Sequence, residues 1–222
     1  MKKLVLVLAL VAACKSSDSK PEAKPAPATS QAQPDQPKPE VGPNGPRKQP
    51  QAAPAPDFDA AGDWVKVTAS HAKPKPTDPD VFSIPKFQVL KADFDPAKVE
   101  GGTADLALDV SSLVSNNPRR DEDIKGPDYL DVDKFTTITI HVDNVKKTGD
   151  NHYTADANVD AHGLKQKMPV EFDVVKSTAD SIQIHGTHTF KRLDFGIGAP
   201  EGQDSVGADV TIEMQLTLKK PG

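Results

Sequence analysis

Residues 209–218 read Asp-Val-Thr-Ile-Glu-Met-Gln-Leu-Thr-Leu. Val210, Ile212, Met214, Leu216 and Leu218 fall on one side of an extended chain. Thr211, Glu213, Gln215 and Thr217 fall on the other. Successive side chains of a strand point to opposite faces, so this alternation specifies a β-strand with one face buried. The same period recurs upstream. Ala104, Leu106, Leu108 and Val110 form one such face, and Ile138, Ile140 and Val142 another. Tyr153, Ala155, Ala157, Val159 and Ala161 follow, then Met168, Val170, Phe172 and Val174. Ile182, Ile184, Gly186, His188 and Phe190 complete the set. Strands at 64–68 and 81–90 bring the expected total to about eight, with Pro85 marking an edge or bulge in the second.

Turn chemistry separates these runs. Thr148-Gly149-Asp150-Asn151 and His162-Gly163 have the composition of hairpin loops. Short connections between alternating strands imply an antiparallel meander. The one helical candidate, 119–134, is interrupted by Gly126 and Pro127 and is held to a turn or two. The fold class is therefore all-β. Eight antiparallel strands can close into a barrel without exposed edges. A β-sandwich with a filled core gives the same alternation. Small inward residues (Ala155, Ala157, Ala161, Gly186) leave room for a ligand inside a barrel.

All 11 aromatic residues lie at Phe58 or later, and 11 of the 21 prolines lie in residues 15–56. That proline-rich stretch has Val41 as its only large aliphatic residue. It cannot bury enough apolar surface to offset its chain entropy, so a disordered tether is expected over 14–57. One folded domain remains, 58–222. With segments 1–14 and 15–56 set aside, the rest of the chain has 19 basic and 28 acidic residues, net −9. Such a surface repels phosphate backbones, so nucleic acid is not an expected partner.

Residues 1–13 read as an export signal: Lys2 and Lys3, then the apolar run 4–11, then Ala12 and Ala13. The run is too short to span a bilayer, which takes about 20 residues. Val11-Ala12-Ala13-Cys14 resembles the bacterial lipobox. That resemblance implies cleavage before Cys14 and acylation of it, hence a membrane-anchored lipoprotein of the cell envelope. Two or three acyl chains suffice for stable anchoring. By likeness to enteric sorting rules, Lys15 after the cysteine favours the outer membrane, facing the periplasm. Cys14 is the only cysteine, which excludes an internal disulfide. Drawn out as polyproline, a tether of this length reaches ~130 Å at about 3.1 Å per residue.

Two further stretches carry a family resemblance. One is Arg119-Arg120-Asp121-Glu122-Asp123-Ile124-Lys125, followed by Asp128-Tyr129-Leu130-Asp131-Val132 and Phe135. The other is Lys191-Arg192-Leu193-Asp194-Phe195-Gly196-Ile197. Within the strand-rich frame they resemble the YceI-like, polyisoprenoid-binding, lipocalin-like family. The resemblance spans roughly 64–218. It implies an eight-stranded antiparallel barrel with a helix beside it, enclosing a long apolar cavity for an isoprenoid-type or other amphiphilic chain. The chain departs from the family at Asp123, where a His is usual, and in the Pro- and Lys-rich segment 72–79.

Ile138, Ile140, Phe172, Ile184, Phe190, Phe195 and Met214 are the candidate cavity lining, though a packed core would use the same residues. Arg120 with Asp121, and Arg192 with Asp194, are candidates for holding a ligand head group or for latching loops by ion pairs. No nucleophile elbow, Gly-rich phosphate loop or His-Glu-x-x-His spacing is present, so no catalytic residue, metal ligand or cofactor is nominated. Glu171 and Asp173 read as solubilising charge. His185 and His188 face opposite sides of one strand, whereas His141 and His185 share an outer face if their strands are neighbours. A structural protein with a filled barrel that docks an envelope partner is the alternative to a lipid binder.

Overall fold

The computed structural model describes residues 58, 62–71, 79–200 and 203–220. The export signal, Cys14 and the tether lie outside the described residues. Among the described residues nine strands form one sheet: β1 (Trp64–His71), β2 (Asp80–Ser83), β3 (Phe87–Asp95), β4 (Lys98–Asp109), β5 (Thr137–Lys147), β6 (His152–Ala161), β7 (Leu164–Ser177), β8 (Ser181–Lys191) and β9 (Val206–Lys219). Their order is β2-β1-β9-β8-β7-β6-β5-β4-β3. Every pairing is antiparallel.

Nine segments stand where about eight are expected, because the strand read at 81–90 divides at Pro85. The Ile84 amide still donates to Val65 O of β1, at 3.1 Å, while Lys86 O already accepts from Asp109 N of β4, at 2.9 Å. Proline has no N–H for either ladder, so the chain changes neighbours there. β2 and β3 are thus the two ends of the sheet order and also consecutive in the chain. The kink joins them covalently, and the sheet curls into a partly open barrel.

Local chemistry follows the sequence closely at the β6–β7 turn. His162 (φ 51°) and Gly163 (φ 76°) both adopt positive φ. Ala161 and Leu164 are paired on either side of them. This is the mirror-image two-residue turn whose twist matches the flanking strands.

The helix α1 (Pro118–Lys125) is two turns long. Asn117 caps it by accepting from the Arg120 amide, and Pro118 occupies its first turn, where no N–H is required. Ile124, Leu130 and Val132, on α1 and the loop after it, pack over the cluster containing Val65, Phe82, Leu108 and Val110. A second apolar cluster, around Phe94, Val99, Tyr153, Ile182 and Leu218, fills the region reached by the other ends of the long strands.

Candidate ligand cavity

The inward rows of β4 to β9 surround an elongated cavity of about 180 Å³. Leu106 and Leu108 come from β4, Ile138, Ile140 and Val142 from β5, Ala157, Val159 and Ala161 from β6. Met168, Val170 and Phe172 follow from β7, Ile182, Ile184 and Gly186 from β8, and Ile212, Met214, Leu216 and Leu218 from β9. In each strand these are alternate residues, as the pleat requires. Lining residues on β8 run from Ile182 to Phe190, a length of about 26 Å at ~3.3 Å per residue. A modest volume spread over that length describes a narrow tunnel, suited to a linear chain. An engineered apolar cavity of about 150 Å³ stays dry and admits benzene, so water does not stabilise a space like this one.

All seven residues nominated as lining (Ile138, Ile140, Phe172, Ile184, Phe190, Phe195 and Met214) border the cavity. Phe190 and Phe195 meet edge to face with centroids 5.6 Å apart near one end. Room inside comes from small side chains: Ala104, Ala157, Ala161 and Gly186 all border the space. A Cβ on Gly186 would lie 3.0 Å from Glu171 O and 3.3 Å from the Phe172 Cβ, so even alanine is tight there. Ala155 is buried in the second apolar cluster instead.

The nominated charged residues are placed elsewhere. Arg120 pairs with Asp80 at 2.8 Å. Asp121 accepts from the Ser115 amide at 2.8 Å and from the Ser115 hydroxyl at 2.6 Å, tying α1 to the segment before it. Arg192 is 2 % exposed. Its Nε donates to Gly207 O, its Nη1 to Ile197 O and Ala199 O, and its Nη2 to Val206 O and the Asp204 carboxylate. A guanidinium has five N–H groups, and all five are used. None of Arg120, Asp121, Arg192 or Asp194 borders the cavity. The Asp194 backbone carbonyl accepts from Gln166 Nε2 at 2.9 Å, joining the turn after β8 to β7.

Sequence reasoning missed Asp204, the anion of this latch. It pairs with Arg192 at 3.1 Å and accepts the Tyr129 hydroxyl at 2.7 Å. Burial opposes its ionisation. That effect is outweighed by the Val206 amide, the Tyr129 hydroxyl, Arg192 and the Ala199 amide, which hold the carboxyl below the usual range. Burial and the same carboxylate push the Tyr129 phenol up to about 12. Gly198, at φ +78°, belongs to the device too: a Cβ there would run into Arg192 Nη1. The only available signal was that an arginine ending an inward-facing strand requires an acid nearby.

The histidines divide by face. His141 bonds Asp105 at 2.6 Å, His152 bonds Asp173 at 2.8 Å, and His185 bonds Glu213 at 3.0 Å, all on the outer side. The condition for His141 and His185 to share a face is not met, because β5 and β8 are not neighbours. His188 borders the cavity and has no hydrogen-bond partner among the described residues. Burial pushes its pKa down. No group of three or more His, Cys, Asp or Glu among the described residues is placed to hold a metal ion.

Comparison with known proteins agrees with this geometry. A family model described as a YceI-like domain matches residues 60–218. A UPF0312 protein of Pseudomonas savastanoi pv. phaseolicola is 29% identical over 137 residues, 57% of this chain and 68% of its own length. A UPF0312 protein of Shewanella sp. is 27% identical over 141 residues, covering 60% and 74%. Among solved structures, Burkholderia cenocepacia BcnA superposes with a TM-score of 0.63 at 23% identity, over 70% of this chain and 96% of that one. A polyisoprenoid binding domain from Saccharophagus degradans, implicated in plant cell wall breakdown, gives 0.56 at 14% identity, over 73% and 97%. Likenesses at this identity show the shared fold.

Proposed function

This chain belongs to the YceI-like family, and from that premise we propose that its barrel binds, carries or sequesters an apolar lipid chain, isoprenoid-like or otherwise amphiphilic. The observation that carries the reading is the tunnel itself: an apolar space about as long as a strand, left open by alanines and a glycine on inward faces. A protein without a ligand gains stability by filling such a space, since unfilled volume forfeits dispersion contacts. The relation to a polyisoprenoid binding domain supports the same ligand class. The role is binding rather than catalysis: the groups that border the cavity are hydrocarbon, apart from Thr103, Thr187, Glu171 and His188.

The lipobox-like Cys14 and the proline-rich segment support placement at an envelope membrane. Acyl chains on Cys14 would hold the protein there, and the tether would let the barrel reach lipid at a distance. The test is chemical. Full-length protein purified from its producing cells is extracted with organic solvent, and the extract is analysed by mass spectrometry. A stoichiometric apolar or amphiphilic lipid is expected. An empty extract from protein that also fails to bind geranylgeraniol would overturn the reading.

A further inference from the structure

The inner surface of the barrel is interrupted at one place. β7 and β8 pair from Ser177↔Ile182 only as far as Phe172↔Gly186. Beyond that point β7 continues to pair with β6, down to Leu164. β8 continues to pair with β9, as far as Lys191. Residues 167–171 and 187–191 therefore face one another across the wall of the barrel with no ladder between them. Pro169 has no N–H to offer such a ladder. The far end of the gap is closed by the Gln166–Asp194 hydrogen bond. The result is a window about 16 Å long, taking five residues at ~3.3 Å each.

The cavity reaches this window. Glu171 and Thr187 lie on the outward side of their strands, yet both border the cavity, and both sit where the ladder stops. His188, one residue further, is the inward polar group at the same level. Its ring has no hydrogen-bond partner among the described residues. By contrast, the polar groups of the Arg192 latch are used up. A half-buried inward imidazole with no partner among the described residues, beside an opening in an apolar tunnel, has hydrogen-bonding capacity to offer a ligand.

Charge narrows the partner. No Lys or Arg borders the cavity among the described residues. Lys167 and Lys191, which flank the window, are paired with Asp156 at 3.0 Å and Asp209 at 2.6 Å. Glu171 and Asp173 add negative charge nearby, with His152 between them at 3.8 and 2.8 Å. Among the described residues that border the cavity, a phosphate or diphosphate would meet no cation, and it would be repelled by Glu171.

We propose that ligand passes into the tunnel sideways, through the window between β7 and β8, and rests with an uncharged hydrogen-bonding head group, such as an alcohol, phenol or carbonyl, at His188. The inference rests on the lipid-binding reading and adds a route, a binding residue and a selectivity to it. Burial, which disfavours the imidazolium, keeps the ring able both to donate and to accept.

The test uses full-length protein and a geranylgeraniol analogue carrying a diazirine beside its hydroxyl. After photolysis and trypsin digestion, crosslinks are expected in the peptides 168–176 and 177–191. Geranylgeraniol is expected to displace the probe at least about ten-fold better than geranylgeranyl diphosphate, because the charged head finds no counter-ion. His188→Phe is expected to weaken the alcohol about five-fold, the size of one neutral hydrogen bond, and to leave a hydrocarbon of equal chain length unaffected. Crosslinks confined to other peptides, diphosphate binding as tightly as the alcohol, or equal effects of His188→Phe on alcohol and hydrocarbon would each overturn the proposal. If neither the probe nor the hydrocarbon binds, the lipid-binding reading falls first and takes this one with it.

Discussion

Two polar side chains four residues apart, at the end of β8 and just past it, have opposite fates. Arg192 is buried with all five N–H groups bonded, four carbonyls and the Asp204 carboxylate closing around it. His188 faces the tunnel with no partner among the described residues. A desolvated polar group is tolerated when the fold supplies its partners, and otherwise weakens the fold unless water or a ligand supplies them. The first residue therefore belongs to the architecture, and the second is placed for recognition. The same division separates His141, His152 and His185, each beside a carboxylate, from His188.

The largest effect should come from the saturated side of that comparison. Arg192→Leu leaves Asp204 buried without its counter-charge and four carbonyls without donors. A loss of about 3–5 kcal/mol is expected in urea unfolding, as for other buried pairs deprived of one partner. A change below about 1 kcal/mol would mean that the latch is ornamental.

The tunnel side should respond differently. Ala157 is 3% exposed and borders the cavity. Ala157→Leu adds apolar volume there, so stability should hold or rise slightly while affinity for geranylgeraniol falls by about ten-fold, roughly 1.4 kcal/mol. In a filled core the same change overpacks and costs about 1–3 kcal/mol. The sign of the stability change thus separates a hollow barrel from a filled one.

Two smaller effects follow from ionisation. Tyr129, with a pKa near 12, should titrate well above the ordinary value of 10, and Asp204→Asn should bring it down. Since the folded-state value is raised, this group's contribution is present below pH 10 and lost as pH rises towards 12. Ultraviolet titration of the phenolate checks both. For His188 the sign is reversed. Its folded-state pKa lies below 6.5, so its contribution is present above pH 6.5 and lost as pH falls below that. Glu171 is the acid that borders the cavity with it. The urea midpoint of the native protein should drop more between pH 7.5 and 5.5 than that of His188→Phe. An equal drop in the two would show that His188 is not desolvated.

Much of this was legible in the sequence because alternation reports the inward face directly. Val210, Leu216 and Leu218 are buried, and Ile212 and Met214 border the tunnel, in the register that residues 209–218 imply. His188 was placed on the inner face in the same way. The latch was half legible. The run around Arg192 was visible, but Asp204 lies on a loop, where no periodicity assigns a side chain to a partner. Pro85 marks an edge or a bulge in the sequence, which cannot show that the chain exchanges β1 for β4 there. The window was invisible for a related reason. β7 and β8 each alternate without a break, and their divergence past Gly186 is a property of the pair.

The central claim is a hollow barrel with a lipid inside, and native mass spectrometry of the full-length protein from its producing cells tests it most directly. The account predicts a non-covalent mass increment that disappears on solvent extraction, returns on adding geranylgeraniol, and is reduced in Ala157→Leu. Protein that carries no extractable increment, and gains none with geranylgeraniol, would contradict it.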